Sequence, residues 1–242
     1  MSEIAAILFY TIAAGACIPL GGSLASFERV RSRWLEQELR HFLIAFGGGI
    51  LLGAVAVVLV PEGIASMQGS LWTIPIVLAG GLAFFMIERA LGLRRRETPQ
   101  VMGMLLDYVP EAIALGGLVA LGSATVPLLA ALIGLQNLPE GFNAFRELHA
   151  LKQRSARRTL AIMWSLVVIG PLAGLVGYFL LAEFPAALGA VMLFASGGIL
   201  YLIFQDIAPQ SRLKRHWAPP LGAVAGFSVA LFSEMLTRGA AG

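Results

Sequence analysis

Two six-residue segments carry acidic and amide side chains around a proline, inside otherwise apolar sequence. We call residues 107–112 (DYVPEA) the first hexad and residues 136–141 (QNLPEG) the second hexad. In each, two polar residues are followed by an apolar residue, proline, glutamate and a small residue. The first polar residue and the glutamate are four positions apart, so they lie on the same face of a helix. A repeated pattern of this kind predicts a shared site.

The side chains of the hexads suit a divalent cation. Antiparallel helices would point five oxygen-bearing side chains into one gap, namely Asp107, Glu111, Gln136, Asn137 and Glu140. Three carboxylates in a low dielectric would repel one another unless they are protonated or bound to a cation. Each proline also removes a backbone donor. The carbonyl oxygens near Leu106 and Leu135 are therefore expected to be free for a cation or water.

Composition places the hexads in a membrane. Apolar residues make up 58% of the 242 residues and charged residues 13%, whereas soluble domains have roughly 45–50% and about 25%. A membrane helix needs about 20 mostly apolar residues. Eight such stretches are present, at roughly 3–27, 41–66, 70–92, 100–121, 124–147, 159–181, 185–209 and 217–237. We predict an all-α, polytopic membrane protein of one domain (1–242), with the hexads in spans four and five.

The basic residues predict the orientation of the chain. Of 17 Lys and Arg residues, 16 lie in or beside the first, third, fifth and seventh connections, and only Arg238 does not. Since Lys and Arg collect on the cytoplasmic side, we expect these connections in the cytoplasm and both termini outside it, in the cell (inner) membrane. The excess of basic over acidic residues is therefore explained by membrane topology, and no nucleic-acid partner is expected. The single cysteine, Cys17, excludes an intrachain disulfide and a thiolate metal cluster.

A weaker form of the hexad occurs near the ends of the second and seventh spans. The segments are 60–63 (VPEG) and 207–210 (IAPQ). These spans would be counterparts if spans 1–3 and 6–8 form an inverted repeat around spans 4 and 5, a common plan in transporters. Simple termination of each helix by its proline is the alternative explanation.

With these features the chain resembles the ZIP family of divalent metal transporters, and its bacterial branch most closely. The similarity rests on eight spans, outside termini, short loops and paired Pro-Glu hexads. Segments 111–116 (EAIALG), 170–174 (GPLAG) and 195–201 (ASGGILY) resemble the fourth, sixth and seventh spans of the family. The resemblance implies a binuclear site in the hexads. Its residues that match the family's ligand motif here are Asp107, Glu111, Gln136, Asn137 and Glu140.

The chain departs from the family at four positions. Asp107 and Tyr108 replace the histidine and asparagine of the fourth span, and Gln136 stands where many members have histidine. Gly170 replaces a glutamate of the sixth span. The three histidines, His41, His149 and His216, lie at span ends or in loops. Oxygen ligands alone favour harder metals such as manganese, while zinc also accepts carboxylates.

The resulting expectation is transport of zinc, iron or manganese, with inward direction taken from the resemblance alone. The metal is then a substrate, no cofactor is expected, and the partners are the lipid bilayer and, as a candidate assembly, a second copy of the chain. We expect no enzyme, since neither HExxH nor GxSxG is present. The alternatives are a ZIP-like carrier of a non-metal solute, a non-transporting metal sensor or assembly partner, and a buried hydrogen-bond network that only locks the two helices together.

Overall fold

The computed structural model describes residues 2–27, 33–95, 99–152, 155–212 and 218–241, and in these ranges it is helical without strands. Over these residues the helical segments form eight consecutive helices, three of which contain more than one segment. They are α1 (Glu3–Phe27), α2 (Arg33–Ala54, Val55–Leu59 and Val60–Ser66), α3 (Thr73–Arg95), α4 (Pro99–Ala120), α5 (Val126–Lys152), α6 (Ala156–Leu166 and Ile169–Leu181), α7 (Pro185–Leu202, Ile203–Ile207 and Ala208–Ser211) and α8 (Leu221–Ala241).

Six helices in the described ranges are long and apolar enough to span a membrane. They correspond to α1, α2, α3, α4, α6 and α7, and a shorter apolar stretch, Leu221–Thr237, lies in α8. The α5 helix falls outside this set because the second hexad and the charged residues after it interrupt its apolar run. The long apolar helices support the predicted membrane character, and the finer prediction of eight spans stays a prediction.

The polarity of the molecule is arranged as a bilayer requires. Large apolar side chains of α3 point outwards, and Leu78, Leu82 and Met86 are each more than half exposed. By contrast, four acidic and amide residues of the hexads are buried, namely Asp107, Glu111, Gln136 and Asn137. A soluble protein does not expose a continuous apolar helix face while it buries carboxylates. The exposed apolar faces therefore fit contact with lipid.

The predicted span limits differ from the helix ends mainly at the polar connections. The α2 helix begins at Arg33, where the sequence pattern places the span near residue 41, and α5 extends to Lys152. The extra turns contain Glu, Gln, Leu and Arg, which are good helix formers in water. Six of the basic residues assigned to connections lie outside the described residues, namely Arg29, Arg31, Arg96, Arg154, Lys214 and Arg215. His216 also lies outside them.

Helices α4 and α5 are joined by a tight turn that sets the hexads side by side. The Gly122 N–H donates to the Val119 carbonyl, and the Ser123 N–H to the Leu118 carbonyl, both at 3.0 Å. Gly122 has φ +63°, in the left-handed region that favours glycine. This pair of bonds is the Schellman arrangement that ends a helix. Both helices continue through their interior prolines, Pro110 and Pro139.

The helices fall into two groups of four, α1, α4, α5 and α6 in one and α2, α3, α7 and α8 in the other. Within each group, glycines let the backbones touch. A Cβ at Gly141 of α5 would overlap the Ile18 carbonyl of α1, and one at Gly226 of α8 would overlap the Phe46 carbonyl of α2. Small residues allow this close approach in membrane proteins. Both hexads lie in the first group.

The weaker motifs in α2 and α7 follow matching π-helical turns. These turns are Val55–Leu59 and Ile203–Ile207, and in both a proline follows two residues later, at Pro61 and Pro209. Since proline cannot donate to the carbonyl four residues earlier, the hydrogen-bond ladder shifts to a five-residue spacing. The α2 helix then continues to Ser66, so Pro61 does not simply end it. The matching turns support the predicted relation of α2 and α7, which stays a prediction.

Candidate metal site

The two hexads meet in the interior of the helix bundle. The Gln136 side chain donates from Nε2 to Glu111 Oε2 at 2.6 Å and so joins α5 to α4. Glu111, Gln136 and Asn137 are fully buried, and Asp107 is 2% exposed. Glu140 is half-buried. The structure therefore brings all five predicted residues to one region of α4 and α5.

Six side-chain oxygens in this region are buried without a hydrogen-bond partner. They are Asp107 Oδ1, Glu111 Oε1, Gln136 Oε1, Asn137 Oδ1, Glu140 Oε2 and Asn143 Oδ1. We call these six orphaned oxygens the oxygen set. About 90% or more of buried polar groups in proteins are paired, and each exception requires an explanation. All six atoms are acceptors when the carboxyl groups are ionised, so a cation or a hydrogen-bond donor such as water would satisfy them.

The three amides are oriented by their own hydrogen bonds. Asn137 Nδ2 donates to the Ala14 carbonyl of α1 at 3.0 Å, and Asn143 Nδ2 donates to the Pro139 carbonyl at 2.9 Å. Gln136 uses its nitrogen on the Glu111 carboxylate in the same way. Because each partner is an acceptor, the nitrogen has to face it and the oxygen is left for the site. The chain thus presents amide oxygens as ligands.

Asn143 is the residue that the hexad pattern misses. It lies three positions after Glu140, on the same face of α5, and is 1% exposed. The spacing Glu140, Asn143 is the only sequence signal for it. It extends the oxygen set one turn beyond the second hexad.

Carboxylates alone do not complete a binding site in this conformation. Among the described residues, no three His, Cys, Asp or Glu side chains converge closely enough to hold a metal ion. One oxygen of Glu111 is engaged by Gln136. Ion binding therefore requires the amide oxygens as ligands, together with a shift of the carboxylates towards the ion.

A cleft borders part of the oxygen set. Asp107, Glu140 and Asn143 line it from α4 and α5, and Asp206 and Gln210 line it from α7. The other lining residues include Leu43 in α2 and Gly103 near the start of α4. These residues place the cleft towards the end where the first, third, fifth and seventh connections lie, which we call the basic end. Arg40, His41 and Arg212 line a neighbouring concavity there.

At the opposite end, a separate cavity contains the motif glutamate of α2. Glu62 Oε1 accepts from Ser123 Oγ at 3.1 Å and from Thr125 Oγ1 at 2.8 Å. Glu234 of α8 also lines this cavity. Between it and the hexads, α5 carries the fully buried Leu129, Leu132 and Ile133. Glu62 is thus not brought to the hexads, and its cavity shares no lining residue with the cleft at Asp107 and Glu140.

The described histidines lie away from the oxygen set, in agreement with their predicted positions at span ends. His149 stacks on Phe145 at 5.5 Å between ring centroids, and His41 Nδ1 lies 2.6 Å from the Gln37 carbonyl oxygen. Among the described residues, the atoms near the hexads that could bind a metal ion are therefore oxygens.

Comparison of the chain with models of known protein families and with curated proteins finds no match. The resemblance to the ZIP family thus rests on the residues of the hexads and of spans four, six and seven. Over the described residues, the structure is all-helical, with six helices long and apolar enough to span a membrane and a buried group of acidic and amide side chains.

Proposed function

We propose that the protein is a ZIP-like carrier that moves divalent metal ions, zinc, iron or manganese, across the cell membrane into the cytoplasm. The six orphaned oxygens of α4 and α5 carry the proposal. They would replace the water shell of an ion at mid-membrane, and the carboxylates among them would offset its charge. Carboxylate and amide oxygens are the ligands that hard divalent cations prefer.

The cleft supplies a route for release. Asp107 and Glu140 line it, and it lies towards the basic end, which the excess of Lys and Arg assigns to the cytoplasm. This conformation would then be the inward-open one. The cavity at Glu62 and Glu234 would lie on the outer side. Motion of one helix group against the other would connect the hexads to each side in turn.

A purely structural role for the hexads explains less. A network that only locks α4 to α5 gains by pairing every buried polar atom, since an unpaired one costs about 1–3 kcal/mol. Here the amide nitrogens are paired and the oxygens facing the site are not. Such an arrangement is suited to a ligand that arrives and leaves.

Uptake of divalent metals by the purified protein in liposomes tests the proposal. Uptake of an organic cation without any metal would instead favour the non-metal carrier. Metal binding without uptake would favour a sensor or an assembly partner.

The proposed orientation predicts the labelling of single cysteines in intact cells, in a Cys17→Ala background. Ala124→Cys and Glu183→Cys, exposed at the end opposite the basic end, should react with an impermeant maleimide added outside. Arg157→Cys, exposed at the basic end, should react only after the cells are opened. Labelling in the reverse pattern would overturn the orientation, and equal labelling of all three would place both ends on one side.

A further inference from the structure

Tyr108, the second residue of the first hexad, does not point into the gap between α4 and α5. It is 1% exposed and among the largest fully buried side chains. Its hydroxyl donates to the Thr11 carbonyl of α1 at 3.2 Å. The phenol proton is therefore used in a hydrogen bond to α1.

Two glycines make the space for this phenol. A Cβ at Gly170 of α6 would overlap the Tyr108 hydroxyl, and so would a Cβ at Gly15 of α1. Neither α1 nor α6 can therefore present a side chain at these positions while the ring is in place. The volume on this side of the first hexad is filled by an aromatic ring.

We propose that Tyr108 restricts the site to one divalent ion, because it fills the side of the hexads that faces α1 and α6. The ligands then come from α4 and α5 alone. This inference rests on the proposed function and concerns how many ions the same site takes.

The charge of the oxygen set agrees with a single ion. Asp107, Glu111 and Glu140 supply three carboxylates, so one divalent ion together with one proton makes a neutral site. Two divalent ions would leave a net positive charge that protonation cannot remove. A buried, uncompensated charge is costly. The further carboxylate of the cleft, Asp206, lies on α7 in the other helix group and already has an interaction partner.

The number of oxygens leads to the same result. The hexads and Asn143 supply six unpaired side-chain oxygens at most, and one hard divalent cation commonly takes six or more oxygen ligands. A second ion would need bridging ligands or an additional carboxylate. A carboxylate introduced at Gly170 of α6 would need the space that the Tyr108 hydroxyl occupies.

The test is the number of Mn²⁺ ions bound per chain at saturation, measured by equilibrium dialysis of the purified protein. We expect one ion for the wild type and for Tyr108→Phe, which keeps the ring. Tyr108→Asn alone frees the space but adds no carboxylate for a second ion, so it should also bind one. The double variant Tyr108→Asn/Gly170→Glu exchanges the ring for a carboxylate and should bind two. The double variant Glu111→Gln/Glu140→Gln gives the background from surface binding.

A second readout is the electron paramagnetic resonance of the bound Mn²⁺. An isolated ion should be seen in the wild type and a spin-coupled pair in the Tyr108→Asn/Gly170→Glu variant. Two ions in the wild type would overturn the inference and leave metal transport standing. No ion above background in the wild type would overturn the proposed function and the inference with it. A folded Tyr108→Asn/Gly170→Glu variant that stays at one ion would show that Tyr108 is not what limits the number.

Discussion

Glu140→Gln and Glu111→Gln are each expected to weaken Mn²⁺ and Zn²⁺ binding by more than about 100-fold, since loss of an outer-shell partner alone typically costs 10–100-fold. Glutamine nearly keeps the volume of glutamate, so the packing of α4 against α5 should survive. It removes a charge that both coordinates the ion and offsets its lost hydration. Binding is measured by calorimetric titration of the purified variants, after their thermal unfolding shows that they are folded.

The matched control is Glu183→Gln, which makes the same exchange at an exposed position between α6 and α7. Its affinity for both metals should equal that of the wild type. Normal binding by either site variant in folded form would contradict a shared site on the two hexads. Loss in the control as well would show that the effect comes from the overall charge of the protein.

Asp107→His is expected to raise the ratio of zinc to manganese uptake by about tenfold, which corresponds to 1.4 kcal/mol. Asp107 lines the cleft, and its Oδ1 is one of the six orphaned oxygens. Imidazole nitrogen suits zinc, whereas oxygen ligands suit manganese. The measurement is the ratio of initial uptake rates at one pH, for the variant against the wild type.

Asp107→Asn separates the effect of the nitrogen ligand from loss of charge. It removes the carboxylate and still offers an amide oxygen, so uptake of both metals should fall with their ratio nearly unchanged. An unchanged ratio in a folded Asp107→His variant would mean that Asp107 is not a ligand. Glu111 would then be the only ligand from α4.

The helices and the pairing of the hexads could be predicted because they depend on local patterns. The apolar run of 3–27 is bounded by polar residues, and the first helix is Glu3–Phe27. The repeated order of polar residues, proline and glutamate indicates that Glu111 and Gln136 share a site, and they are hydrogen-bonded. Where local patterns stop at a polar turn, as before residue 41, the helix extends beyond the predicted span and begins at Arg33.

Other features depend on distant parts of the chain, and no local pattern reports them. Tyr108 turns towards α1 because Gly15 and Gly170, far apart in sequence, both leave room for its hydroxyl. Asp206 faces the hexads only through the packing of α7 beside α4. The sequence pattern finds the weak motif at 207–210, but it does not predict the π-helical turn Ile203–Ile207 that leads into it. Asn143 has too little signal, since one amide three residues after a glutamate is common.

Uptake of Mn²⁺ and Zn²⁺ by the purified protein in liposomes tests the central claim most directly. The wild type should accumulate both metals down an inward gradient, at two pH values, above protein-free liposomes and above Glu140→Gln reconstituted at equal density. A panel with iron, calcium and an organic cation should show selection for the transition metals. Equal uptake by the wild type and Glu140→Gln, or uptake of the organic cation alone, would contradict metal transport through the two hexads.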